Sequence, residues 1–271
     1  YINHTQFMEP NDGDVIVIPT HTLYAQYGGF KHTPVRILKK AKLVRYENDP
    51  HEVEWGNWTA YYEGNLVSED LINFVLQTYK IDTVIHFAAQ SHVDNSFHTS
   101  LQYTKDNILG THSLLECCRK YGKIERFIHV STDEVYGESM LEENEKHKTE
   151  HSISCPTNPY AATKAGAELM AQSYNHSFKM PIIITRGNNV YGPNQYPEKL
   201  IPRFIQQLLE GKQVTIQGDG SNVRAFLHAN DTATAFEIIL EKGKIGEIYN
   251  IGCDDGMEYS VLEIAKILIK L

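Results

Sequence analysis

From about Thr59 onward, short apolar runs alternate with longer helix-patterned segments, and this alternation restricts the fold more than any other feature of the chain. Strands that each lead into a helix before the next strand build βαβ units, which assemble into a parallel sheet covered by helices. Residues 83–87 read as a buried strand, 101–120 as a helix carrying Leu109, Leu114 and Leu115, and 126–130 and 182–185 as the next two strands. A helix over residues 160–178 lies between the last two. Residues 138–151, dense in Glu, Lys and His, read as an exposed loop. The expected class is α/β with a doubly wound parallel sheet. At 271 residues the chain can form one large or two unequal domains.

Ligands of open parallel sheets bind beyond the carboxyl ends of the strands. Three polar clusters should converge there: His86-Phe87-Ala88-Ala89-Gln90, Ser131-Thr132-Asp133-Glu134 and Thr185-Arg186-Gly187-Asn188-Asn189. Pro159-Tyr160-Ala161-Ala162-Thr163-Lys164 adds a phenol and an ammonium one helical turn apart, hence on one face. The positive charge is expected to favour phenolate and lower a pKa that starts near about 10. The spacing itself recurs at Tyr27 and Lys31, but across Gly28-Gly29, which is poor helix material. Pro159 suits the first turn of a helix, and the alanines after it continue one.

Charge and cysteine usage narrow the class of partner. With 25 basic and 34 acidic residues the formal charge is -9, which argues against general attraction to nucleic acid or a membrane surface. An anionic ligand then needs a local basic cluster; Lys199, Arg203 and Arg224 are the candidates. No apolar run approaches the roughly 18 residues of a membrane helix, and no signal-peptide pattern is visible. Cys117, Cys118, Cys155 and Cys253 have no metal-ligand spacing, so no metal site is expected and a reducing, cytoplasmic location fits.

These residues resemble the extended short-chain dehydrogenase/reductase superfamily, and within it the nucleotide-sugar 4,6-dehydratases of the dTDP-glucose type. The resemblance runs from about Ala60 to the end of the chain. It is carried by the segment from His86 to Asp94, by Asn107-Ile108-Leu109-Gly110-Thr111, by Thr132-Asp133-Glu134, by Tyr160/Lys164 and by the segment from Asn189 to Pro202. It implies a Rossmann-like fold and NAD as cofactor, bound by Asn65, Leu66, Phe87, Ala88, Ala89, Asn107 and Ser131 together with Tyr160 and Lys164. It also implies that an NDP-hexose, dTDP-glucose first, is held by His92, Asn189, Glu198, Lys199, Leu200, Arg224 and Asn250. Arg224 offers the fork of donors that suits phosphate oxygens.

The implied catalytic set is Thr132, Asp133, Glu134, Tyr160 and Lys164. Tyr160 takes the proton of the sugar 4-hydroxyl as hydride leaves C4 for NAD+, Lys164 holds the nicotinamide ribose, and Thr132 hydrogen-bonds the same hydroxyl. The new ketone acidifies C5; Glu134 removes that proton while Asp133, as the neutral acid, protonates the departing 6-hydroxyl. Hydride returns to C6 and leaves a 4-keto-6-deoxy sugar. The two carboxyls must therefore hold different protonation states. By family analogy the helices over 101–120 and 160–178 form a homodimer interface.

The chain departs from the family at both ends. Residues 1–55 form a divergent segment in place of the usual first βαβ: Val15-Ile16-Val17-Ile18 reads as a strand, but no Gly-x-x-Gly-x-x-Gly turn follows it. Asn65 stands where relatives carry aspartate, as does Ala225. Residues 56–190 then read as the cofactor-binding and catalytic core, and 191–271 as a partial substrate-binding region. The last helix opens on a capping box, Ser260-Val261-Leu262-Glu263. Two other readings remain beside the dehydratase: a non-catalytic nucleotide-sugar-binding paralogue or fragment that has lost NAD binding, and a nucleotide-sugar epimerase. The adjacent acids Asp133-Glu134 weigh against the epimerase.

Overall fold

The computed structural model describes residues 15–18, 33–38, 58–137, 148–193, 195–197, 199–216, 218–254 and 256–271, with 15–18, 33–38 and 58–64 described by their backbone alone. Tyr27, Lys31, Glu198 and residues 138–147 lie outside this set. The chain divides into two compact units, Tyr1–Arg186 with Leu240–Tyr249 and Gly187–Ile239 with Asn250–Leu271.

The first unit is built on a sheet whose described strands run β3-β2-β1-β4-β5-β6-β9. These are β1 (Val15–Ile18), β2 (Thr33–Leu38), β3 (Trp58–Gly64), β4 (Thr83–His86), β5 (Arg126–Thr132), β6 (Ile182–Gly187) and β9 (Ile248–Ile251). The parallel pairing expected from the βαβ alternation holds for β1 with β4 and for β4 with β5. In contrast, β1 with β2 and β2 with β3 are antiparallel. Antiparallel neighbours need no crossover helix between them.

Helices α1 (Glu69–Thr78), α4 (Gly110–Tyr121) and α5 (Pro159–Phe178) supply the apolar faces that bury this sheet. Leu76, Val84, Leu114, Leu115, Phe127 and Ile182 meet in one core cluster. Asn158 caps α5 by accepting the Ala161 N–H at 2.8 Å, and Pro159 occupies its first turn. Among the described residues no helix is long and apolar enough to cross a membrane, and all four cysteines are free thiols.

The single helix expected over 101–120 is three pieces. A short α3 (Ser100–Tyr103) runs into a π-helical stretch, Thr104–Leu109, before α4 begins. Within the stretch the Gly110 N–H reaches back five residues to the Lys105 carbonyl. The phase change is visible in burial: Leu109 is half exposed, whereas Leu114 and Leu115 are fully buried. Gly166 of α5 lies so close to this stretch that a Cβ there would meet Ile108 Cδ1 at 2.8 Å.

Asn107, inside the π stretch, ties three segments together. Its Oδ1 accepts the Gln90 N–H at 2.6 Å, and its Nδ2 donates to the Gln90 carbonyl at 3.1 Å and to Thr163 Oγ1 on α5 at 2.9 Å. The loop after β4, the π stretch and α5 are thereby fixed to one amide.

The second unit holds a three-stranded sheet in the order β10-β8-β7, from β7 (Asn189–Tyr191), β8 (Val223–His228) and β10 (Glu258–Ser260). Strand β8 is parallel to β7 and antiparallel to β10. Phe204 of α6 (Leu200–Leu209) packs with Ile264 and Ala265 of α8 (Val261–Lys270). The capping box at Ser260 and Glu263 forms as the sequence predicts, with the Glu263 carboxylate 2.7 Å from the Ser260 N–H. Helix α7 (Ala229–Lys242) follows β8 directly.

Replacing Asn107 by alanine leaves the part-buried Gln90 main chain without these bonds, and urea denaturation should show a loss of about 2–4 kcal/mol. A loss below about 0.5 kcal/mol would mean that the amide is not the tie described.

Candidate active site

Strand β5 ends at Thr132, and the chain turns at once into a four-residue 3-10 helix, Asp133–Tyr136. Thr132 caps this turn by accepting the Glu134 N–H at 3.3 Å, and its hydroxyl donates to Asp133 Oδ1 at 3.1 Å. Gly137 closes the turn at φ +88, where a Cβ would run into the Cys155 carbonyl. The Cys155 N–H donates to the Val135 carbonyl at 2.9 Å, so the turn is pinned along its length.

Tyr160 and Lys164 face this turn from the start of α5, both buried. The expected fall in the Tyr160 pKa is not what the structure shows. The phenol is pushed well above its ordinary range, first by burial and then by the Glu134 carboxylate; a hydrogen bond with Thr132 opposes this, and Asp133 and Tyr103 add to it. Lys164 is engaged elsewhere: its Nζ donates to the Val130 carbonyl at 2.6 Å. Burial brings the Lys164 ammonium down to about 8, against the pull of Glu168 one turn further along α5.

The structure thus brings Ser131, Thr132, Asp133, Glu134, Tyr160 and Lys164 together at the end of β5. A phenol, a hydroxyl and a carboxylate lie together, with Tyr160 beside Thr132 and the Thr132 hydroxyl donating to Asp133 Oδ1. The second carboxylate, Glu134, accepts from Asn158 Nδ2 at 3.0 Å. Asn158 is a site residue that the motif reading passes over, although an asparagine directly before Pro159 is a helix-start signal. Beneath the site lie two histidines on adjacent strands, His86 and His129, with ring centres 5.4 Å apart.

Thr111 gives its own proton to the Asn107 carbonyl at 2.6 Å, so His86 Nε2, 2.8 Å from Thr111 Oγ1, must be the donor there. His86 Nδ1 and both His129 nitrogens have no hydrogen-bond partner among the described residues. Burial, then the Lys164 charge, takes His86 down to about 3. The same two causes, in that order, with His86 third, hold His129 well below its ordinary value.

The remaining sequence-predicted residues fall out as follows. Ala88 and Ala89 are buried just after β4, with Phe87 and Leu66 nearby in sequence to the same sheet edge. Asn65 Oδ1 accepts the Val67 N–H at 3.1 Å, and the Asn107 side chain is engaged in the tie described above. His92 caps the short helix Val93–His98, its Nδ1 3.4 Å from the Asn95 nitrogen. In the second unit Asn189 opens β7 and Asn250 lies in β9. Helix α6 starts at Leu200 with Lys199 as its N-cap. Arg224 is exposed in β8, its Nη1 on the Val223 carbonyl at 3.0 Å.

The sequence profile of the GDP-mannose 4,6 dehydratase family matches residues 31–270. The chain belongs to this family. It is 52% identical over 249 residues to the dTDP-D-glucose 4,6-dehydratase of Dictyostelium discoideum, covering 89% of this chain and 57% of that protein. It is 54% identical over 211 residues to a trifunctional UDP-glucose 4,6-dehydratase, 3,5-epimerase and reductase of Arabidopsis thaliana, covering 78% of this chain and 31% of that protein. Among solved structures, the dTDP-glucose 4,6-dehydratase of Streptomyces venezuelae, with NAD bound, superposes at a TM-score of 0.71 with 40% identity, over 76% of this chain and 62% of that one. The chain therefore spans less than two thirds of the length of each of these relatives.

Neutral buried histidines set an acid limit. In the unfolded chain they take up protons below about pH 6.5, while the folded state resists until far lower pH, so stability should fall as pH drops from about 6.5 toward 3. Each histidine contributes up to about 1.4 kcal/mol per pH unit in that window. Urea unfolding across it should show a shallower acid slope for His129→Leu than for the wild type; equal slopes would contradict the account.

Proposed function

We propose that the protein is a nucleotide-sugar 4,6-dehydratase that converts an NDP-hexose, dTDP-glucose first, into the NDP-4-keto-6-deoxy sugar. The observation that carries this reading is the pair Asp133 and Glu134, set in one turn at the carboxyl end of β5 and joined through Thr132 to Tyr160. A plain alcohol dehydrogenation needs the phenol and the lysine; two further carboxyl groups suit the added loss of water.

The donor set fits the nicotinamide half of NAD. Ser131 Oγ is a buried hydroxyl without a hydrogen-bond partner among the described residues, at the strand end beside Lys164. Ser131, Tyr160 and Lys164 would hold that half, with Phe87, Ala88 and Ala89 along the neighbouring strand end and Asn65 and Leu66 at the adenine side. When bound, the cofactor would accept hydride from C4 and return it at C6. Asn107 acts one step back, by fixing Gln90 and α5.

The chain's own groups account for the proton movements. Tyr160, as phenolate, takes the proton of the sugar 4-hydroxyl with Thr132 beside it. Asp133, as the neutral acid, gives its proton to the departing 6-hydroxyl, which leaves as water, and return of a proton from Tyr160 to Asp133 resets the pair. Glu134, steadied by Asn158, takes the C5 proton and gives it back to C5 when C6 is reduced. Residues 56–190 would supply this core, with His92 and Asn189 as sugar-nucleotide contacts, and residues 191–271 the further contacts Glu198, Lys199, Leu200, Arg224 and Asn250. Exposed Leu101, Leu109, Leu169 and Phe178 support a homodimer through the helices over 101–120 and 160–178. A cytoplasmic setting suits the free thiols.

Purified protein incubated with NAD+ and either dTDP-glucose or UDP-glucose should yield a product lighter by one water in mass spectrometry, and the faster of the two arms identifies the base. Asp133→Asn combined with Glu134→Gln should slow water loss by about 100-fold or more. Neither bound NAD+ nor dehydrated product from the wild type would instead favour the non-catalytic nucleotide-sugar-binding protein.

A further inference from the structure

We propose that Arg186 is a positioning residue: anchored by Glu168 on α5, it grips Tyr136 and so fixes the pose of Asp133 and Glu134 against the helix that carries Tyr160 and Lys164. The inference rests on the dehydratase reading above and extends it to what holds the two acids in place.

Arg186 lies in β6 and is 3% exposed. Its Nε donates to the two carboxylate oxygens of Glu168 at 3.0 and 3.2 Å, and its Nη2 donates to Glu168 Oε1. Its Nη1 donates to the Tyr136 hydroxyl at 2.8 Å and to the Glu150 carbonyl at 3.1 Å. The guanidinium carbon also stands 4.7 Å from the centre of the Tyr136 ring. One side of the planar fork is thus spent on α5 and the other on the end of the acid turn.

The turn needs such a hold. It is a single 3-10 turn of four residues, Asp133–Tyr136, too short to keep its own geometry. Its first end is fixed because Thr132 belongs to β5. Its last residue is Tyr136, and the ring and hydroxyl of that residue rest on Arg186. Asn158 steadies the Glu134 carboxylate and the Cys155 N–H holds the Val135 carbonyl; the Arg186 fork acts on the last residue of the turn, Tyr136.

Stability alone is a weak explanation for the pair. A buried ion pair can often be exchanged for apolar side chains of similar volume without loss of stability. Apolar replacements could fill the space between α5, β6 and the turn. They could not hold a hydroxyl and a main-chain carbonyl at set distances, which is what the fork does. Glu168 has a second reach: it lies one turn beyond Lys164, and its charge opposes the effect of burial on that ammonium. A single carboxylate therefore acts on both halves of the site.

Two substitutions in the full chain test the proposal. Tyr136→Phe keeps the ring over the guanidinium and removes only the hydroxyl acceptor; Arg186→Lys keeps the charge and removes the fork. In hydrogen exchange read by mass spectrometry, amides of residues 133–137 should exchange about tenfold faster in Tyr136→Phe, with the β4 and β5 amides unchanged. With NAD+ and the nucleotide sugar, kcat should fall about tenfold in Tyr136→Phe and about 100-fold in Arg186→Lys, with KM within about threefold.

Unchanged exchange across the turn would overturn the proposal, as would a loss of protection spread evenly over the whole unit. Unchanged kcat in both variants would do the same. If Arg186→Lys does not fold, Tyr136→Phe decides both measurements. If the wild type makes no dehydrated product, the dehydratase reading fails, while the exchange result still shows whether Arg186 holds the turn.

Discussion

A lysine ammonium withdrawn from water is destabilising by several kcal/mol unless the protein replaces what water supplied. At Lys164 the replacement is a short hydrogen bond to the Val130 carbonyl and the charge of Glu168 one turn away. Much of the first unit is arranged around that requirement. The carbonyl must come from β5, the helix must cross β5 closely enough to reach it, and the side chains beneath must not add positive charge. His86 and His129 meet the last condition by remaining neutral. The cation then repels any proton that would charge them, so lysine and histidines hold one another in their respective states.

The same crossing brings the acid turn within reach of Tyr160. Burial, and after it the carboxylates of Glu134 and Asp133, oppose ionisation of the phenol. Thr132 stands beside both groups, its hydroxyl donating to Asp133 Oδ1. The ordering of these groups comes from main-chain geometry at Gly137, from Asn158 at the helix start and from the Arg186 fork, each acting on a different part of one turn.

The sequence makes the strands and the main helices legible because apolar period and turn residues are local signals. Strands β4, β5 and β6 lie where alternation predicts them, to within a residue or two at their ends, and the capping box at Ser260 opens its helix as read. The antiparallel pairing of the first three strands was hidden, since residues 1–55 carry strand propensity without any marker of direction. Spacing along α5 says which face Tyr160 and Lys164 share, but not how deeply the phenol is buried or that the ammonium is taken by a carbonyl 34 residues earlier in the chain. The bond between Glu168 and Arg186 joins residues 18 apart through tertiary structure, and no local pattern announces it.

The π stretch at Thr104–Leu109 gives the segment before α4 a different phase from the segment after it. One extra residue per turn works like a vernier: Asn107 can face Gln90 and Thr163 while Leu114 and Leu115, further along, still face the core. A regular helix through the same endpoints could satisfy one of those alignments but not both. Residue count in this segment is consequently as constrained as residue identity, and a single insertion or deletion between Ser100 and Gly110 would set the polar tie and the apolar core against each other without altering any side chain that either one uses.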